Sequence, residues 1–305
     1  MRKPTRQGAR LGAALALALL TGCSAAARGA APATREQAPA TREQAAAEQT
    51  TGDLTLPAFT DVRVDAVTTD VSFRYGSGYA LHYELPEGEL LEQAEVQDGT
   101  LLFRTESEPD SSLQYNGQLV ITLPEDTELG EIRVDTSFGG LTFDGRADSL
   151  VYDTSSGDAE IGGVLAGNLE VYTSFGSLTF DGRADSLVYD TSSGDAEIGG
   201  VLADSLKVYT SFGSLRFTGQ AASLNFESSK GGAQVTGKVT DTLRMDTTTG
   251  PLTAALPDPA LHAETGGKLT VDGVEQAGRF SRQGGGCSAR ITSSRGDITI
   301  TTRAQ

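Results

Sequence analysis

From residue 61 to about residue 302, apolar and polar positions alternate with period two in short runs bounded by Gly, Pro and Asp. Val62/Val64/Ala66, Leu101/Phe103 and Leu119/Ile121/Leu123 are such runs, and their alternation predicts strands with one buried face. No helical periodicity competes with it. Inside this region two consecutive 37-residue blocks, 136–172 and 173–209, differ at only four positions: Gly140/Ser177, Gly167/Asp204, Asn168/Ser205 and Glu170/Lys207. A diverged third copy follows at 210–246. Tandem self-similarity of this kind predicts stacked units, none of which can bury its apolar face alone.

Each block divides into rungs of 18 and 19 residues, because its columns then match. One glycine column is Gly139, Gly157, Gly176, Gly194, Gly213, Gly231 and Gly250, and a second runs from Gly145 to Gly237. The first implies a tight turn that needs either φ > 0 or close backbone stacking. Beside it stands a hydroxyl column, Thr136, Thr154, Thr173, Thr191, Thr210, Ser228 and Thr247, suited to local hydrogen bonds that set the bend. Between the glycines, pairs such as Leu141/Phe143 alternate with smaller pairs such as Ala159/Ile161, and Leu150/Tyr152 alternates with Leu169/Val171. Two inward-facing strands per rung, with like strands paired about 4.8 Å apart, predict an all-β, single-domain parallel β-solenoid (β-helix) of 18–19-residue rungs. Matched columns favour this over one wide 37-residue rung. Residues 61–130 are read as an irregular N-terminal starter and cap, 131–250 as the regular repeats, and 251–302 as C-terminal rungs, since ARITSSRGDITI restates the motif.

The first sixty residues follow a different pattern. Arg2, Lys3, Arg6 and Arg10 precede a ten-residue apolar run at 11–20, too short to span a bilayer and suited to a cleaved export signal over 1–22. The run ends in Leu20-Thr21-Gly22-Cys23, which resembles a bacterial lipobox and predicts cleavage before an acylated Cys23. More than one acyl chain, each contributing about 0.8 kcal/mol per buried CH₂, holds such a protein stably on a membrane. Residues 23–60, with APATREQ twice in tandem, have little to bury and are read as a disordered tether. With Cys23 acylated, Cys287 has no partner for an internal disulfide and is read as a small filler. The formal charge of −17 becomes −21 once the four basic residues of the signal are removed. That charge, with no basic patch, argues against nucleic acid as a partner.

The assembled motifs resemble a bacterial envelope family of β-strand-repeat proteins labelled "putative adhesin", related to the toastrack-like domain of unknown function. The resemblance rests on DGTLLF (98–103), VITLPEDTEL (120–129), the repeated D-T-S-x-G-x-L-x-F and a terminal SRGDITI (294–300), and it covers about 61–302. It implies an extracytoplasmic, often membrane-tethered β-solenoid without established catalysis, here as a lipoprotein. Some relatives sit with envelope-stress systems.

Because a duplicated block duplicates each of its residues, a unique catalytic centre within it is not expected. No nucleophile, zinc or nucleotide motif is present, and His82 and His262 stand far apart, so the chain is read as non-enzymatic with no catalytic residues and no cofactor. Phe138, Phe175 and Phe212 occupy one column, alternating with Ser156, Ser193 and Lys230. At two rungs, about 9.6 Å, apart, they either form a stripe that stacks on cell-wall or surface glycan or merely cover their turns. The turn acids Asp144, Asp148, Asp158, Asp181, Asp185 and Asp195 lack a calcium-loop pattern and are read as solvated, so no metal is expected. Arg295-Gly296-Asp297 is read as a rung turn rather than a recognition tripeptide. The leading function is a membrane-anchored envelope lipoprotein acting as a rigid scaffold or adhesin-like binding module, its partners the membrane and a glycan or envelope protein. An accessory role in envelope-stress signalling and a polysaccharide-acting enzyme are the other classes.

Overall fold

In the computed structural model, which describes residues 51–109 and 116–302, like strands lie in parallel over like strands. On one face Leu141, Ala159, Leu178, Ala196, Leu215, Ala233 and Leu252 are successive register partners. On the other, Leu150, Leu169, Leu187, Leu206, Leu224 and Leu243 follow one another in the same way. The side chains of both columns are buried, and the residues that flank each of them along the strand are more exposed. The chain is a parallel β-solenoid of 18–19-residue rungs, as the columns require.

A third inward column escapes the reading by rungs. Ala147, Leu165, Ala184, Leu202, Ala221 and Val239 are buried at the corner between the two faces. They alternate in antiphase with the faces: the rung with Phe143 and Tyr152 carries Ala147, and the rung with Ile161 and Val171 carries Leu165. The antiphase evens out the side-chain volume from layer to layer, as close packing of an interior requires.

Close approach, not handedness, explains the turn glycines. None of that column has a positive φ, whereas a Cβ on Gly157 would stand 2.1 Å from the Gly139 carbonyl oxygen and one on Gly194 1.7 Å from that of Gly176. The hydroxyl column works as expected, with the amides of Gly139, Gly176 and Gly213 donating to Thr136, Thr173 and Thr210 at 2.7, 2.9 and 2.8 Å. On the intervening rungs the buried phenols of Tyr152 and Tyr189 donate to the carbonyls of Gly139 and Gly176. Burial pushes the pKa values of both phenols well up.

The ends depart from the sequence reading. Asp61–Ala66 pairs in parallel with both Thr100–Ser107 and Glu128–Thr136. The first rung in the chain is thus the second in space, and the chain descends to make the outermost rung before climbing past it. Glu89–Gln97 and Ala80–Glu84 close this end with antiparallel pairing. The other end repeats the device. Ser288–Ser293 lies between Lys238–Thr247 and Ala260–Thr265, and Ile298–Thr301 lies between Leu252–Ala255 and Leu269–Val271. The terminal SRGDITI rung is therefore enclosed, and residues 256–287 form the outer end with antiparallel strands Val274–Gln276 and Arg279–Arg282.

The tether boundary at 60 also moves. Thr51–Thr55 is a strand, paired antiparallel with Ala80–Glu84, and Phe59 is buried in the core. Ten residues assigned to the tether belong to the fold. Cys23, the export signal and the rest of the tether lie outside the described residues.

Candidate functional site

The turn after each second-face strand hooks onto the turn of the rung before it. The amides of Phe138, Ser156, Phe175, Ser193, Phe212 and Lys230 donate to Val67, Ser137, Ser155, Ser174, Ser192 and Ser211 carbonyls at 2.9–3.1 Å. This continuous ladder aligns the six side chains along one ridge parallel to the solenoid axis. The glycine beside each, packed against its neighbour's backbone, leaves no room to turn the side chain inward. Phe138, Phe175 and Phe212 are 42, 68 and 58% exposed, so the rings stand out from the ridge rather than filling it. The Lys230 ammonium sits 4.9 Å from the Phe212 ring centroid, a cation–π contact at the end of the stripe.

The acid turns have a second occupation. Asp158 Oδ1 accepts from the Ser177 amide at 2.8 Å, and Asp195 Oδ1 from the Ser214 amide at 2.7 Å. Asp70 does the same for Gly140 at the first rung. Asp therefore alternates with Ser or Gly because a carboxylate on one rung satisfies an amide on the next. Asp158 and Asp195 are turn caps, not idle solvated charges. Among the described residues no three His, Cys, Asp or Glu side chains converge as metal ligands. The Arg295-Gly296-Asp297 turn is likewise occupied by the fold: a Cβ on Gly296 would meet the Gly250 carbonyl at 2.0 Å, and Asp297 accepts from the Lys268 amide at 2.8 Å.

His82 and His262 lie on strands of opposite closing ends and are not brought together. His82 bridges Asp53 at 2.8 Å and Glu84 at 3.3 Å, and chiefly the Asp53 hydrogen bond raises its pKa above the usual 6.5. His262 meets the Ser281 hydroxyl at 3.0 Å on an exposed strand pair. Cys287 is buried, and that burial raises its thiol pKa, which makes it a poor nucleophile.

Sequence reasoning overlooked Glu89. Its carboxylate is 1% exposed and accepts from the Val67 and Thr68 amides, each at 3.0 Å, and from the hydroxyls of Thr68, Thr69 and Thr105. Val67 and Thr68 form the turn of the first rung in the chain, where the turn ladder has no carbonyl beneath it. Glu89 supplies the missing acceptors. In ELLEQAEVQ nothing distinguishes this Glu from its solvated neighbours.

Residues 59–301 match the family model described as Toastrack DUF4097. No curated protein matches the chain. Among solved structures, a "putative adhesin" from Parabacteroides distasonis is 13% identical, with a TM-score of 0.50 over 82% of this chain and 96% of that one. A "putative lipid binding protein" from the same species is 16% identical, at a TM-score of 0.49 over 82% and 95%. A "putative adhesin" from Bacteroides fragilis is 13% identical, at 0.45 over 83% and 95%. At these identities the first of the three supports the fold alone. With four-fifths of its length matched, the chain belongs to the Toastrack DUF4097 family.

Proposed function

We propose that the protein is a non-catalytic, membrane-anchored envelope lipoprotein whose solenoid is a rigid scaffold that binds glycan along the Phe138, Phe175 and Phe212 ridge. The observation that carries this reading is the exposure of three rings at a spacing of two rungs, about 9.6 Å, on a hydrogen-bonded turn ladder. Aromatic faces held at a fixed interval can stack on a linear polysaccharide, and a rigid array loses little entropy on binding. The lipobox at Cys23 supplies the anchor, and the short tether beyond it holds the scaffold near the membrane surface.

Two measurements test the proposal. Phe138/Phe175/Phe212→Ala should lose retention on insoluble cell-wall polysaccharide while keeping its unfolding midpoint, and unchanged retention removes the stripe from the account. Cys23→Ala should abolish incorporation of labelled palmitate and release the protein from the membrane fraction; a variant that stays with the membrane contradicts the anchor.

A further inference from the structure

The outward side of the second face changes character toward the C-terminal end. In register across the strands, Lys207, Asn225, Arg244, Arg290 and His262 occupy one column, with Arg244 and Arg290 directly adjacent. Like charges in neighbouring register positions repel, so a protein of net charge −17 has concentrated cations where its own sheet disfavours them. Two arginines of this region are neutralised internally: Arg244 binds Asp246 at 2.7 Å, and Arg279 binds Glu264 at 2.9 Å. The Arg290 side chain makes no hydrogen bond or ion pair among the described residues.

Arg244 and Arg290 of this column line an open groove of about 1050 Å³. The groove crosses the strands carrying Glu227, Asp246, Thr292, Glu264 and Arg279, four strand spacings or about 19 Å, and the 277–279 segment walls its far end. Its lining combines the arginine forks with three carboxylates and the hydroxyl residues Ser228, Thr248 and Ser294.

We propose that this groove binds an acidic glycan, one sugar carboxylate paired with Arg290 and the neighbouring sugar hydroxyls donating to Glu227, Asp246 and Glu264. The inference rests on the glycan-binding reading and adds the ligand's charge. A guanidinium fork matches a carboxylate bidentately, and carboxylate acceptors match the hydroxyls of a sugar. A neutral glycan would leave Arg290 unpaired, and a non-hydroxylated anion would gain nothing from the three acids. The overall negative charge does not forbid this, because charges more than about 8 Å away are largely screened at physiological ionic strength.

Titration calorimetry with tetragalacturonate, against neutral maltotetraose, tests the assignment on the folded protein lacking only its export signal. The wild type should bind the acidic oligomer and not the neutral one, Arg290→Gln should weaken binding at least tenfold, and Arg290→Lys should recover part of it. Phe138/Phe175/Phe212→Ala should bind tetragalacturonate like the wild type, so that failure of the aromatic ridge and failure of the groove give different results. No binding of tetragalacturonate, equal binding of the two oligomers, or Arg290→Gln binding at wild-type strength overturns the proposal.

Discussion

The middle of this solenoid and its two ends solve the same problem by opposite means. Between residues 141 and 210 each rung has a near copy two rungs away, and its contacts with the intervening rung repeat with the sequence. At the ends no copy exists, and the chain uses single-occurrence features: an enclosed first and last rung, antiparallel closing strands, and a buried carboxylate where the turn ladder stops. The middle is redundant, and the ends are not. Redundancy makes a region tolerant of loss, whereas a feature that occurs once has no substitute.

The most severe test of this contrast compares two deletions. Truncation after residue 287 removes only 18 residues, but it empties the layer between Lys238–Thr247 and Ala260–Thr265. It should abolish cooperative folding. Deleting residues 173–209 removes 37, yet it joins rungs of matching phase and should leave a shorter protein with a single urea transition. If the first variant unfolds cooperatively and the second does not, the contrast is inverted.

Glu89→Ala is the next largest. It leaves the buried Thr68 amide and the hydroxyls of Thr68, Thr69 and Thr105 without this acceptor, and the Val67 amide with only the Thr105 hydroxyl, so the expected loss is at least the roughly 1–3 kcal/mol of one buried unsatisfied donor in chemical denaturation. Glu89→Gln, which keeps one acceptor oxygen, should lose less. By comparison, Asp195→Ala removes one exposed turn cap with a counterpart at Asp158, and should cost about 0.5–1 kcal/mol.

The smallest effect is the pH dependence of the first strand. The Asp53 hydrogen bond raises the folded pKa of His82 above 6.5, so its stabilisation of the Thr51–Thr55 pairing is complete below that value and is lost as pH rises through the folded pKa. Amide exchange of residues 51–55, measured by mass spectrometry and corrected for intrinsic rate, should be less protected at pH 8.5 than at pH 6. In His82→Gln the difference should vanish.

This contrast also governs what the sequence could disclose. Repeated positions are visible because they recur: the Gly139 column and the Leu/Phe and Ala/Ile pairs were readable from spacing alone, whereas spacing put Phe138, Phe175 and Phe212 in one column without deciding between exposed rings and rings that cover their turns. Periodicity identifies which residues face inward, but it carries no information on which rung lies next to which. The enclosed rungs at 61–76 and 288–301 look like ordinary first and last rungs in the chain, and only long-range pairing reveals their place. Thr51–Thr55 was hidden for another reason, because an edge strand of sequence TGDLT buries little and has no alternation to detect. The antiphase of Ala147 and Leu165 was present in the sequence but lies in a segment that reads as a turn.

Enclosing both terminal rungs has a consequence for how such a molecule changes length. Neither end can accept an added rung, since the outermost layers are built from segments that must fold back. Extension is possible only internally, and the alternation of large and small side chains along each inward column allows it only in pairs of rungs. A 37-residue duplication meets both conditions, so reach increases in steps of about 9.6 Å while the two closing ends of the solenoid keep their surroundings. The near-identity of the copies then describes a molecule whose span is set by copy number, like a ladder extended by inserting sections between fixed end brackets.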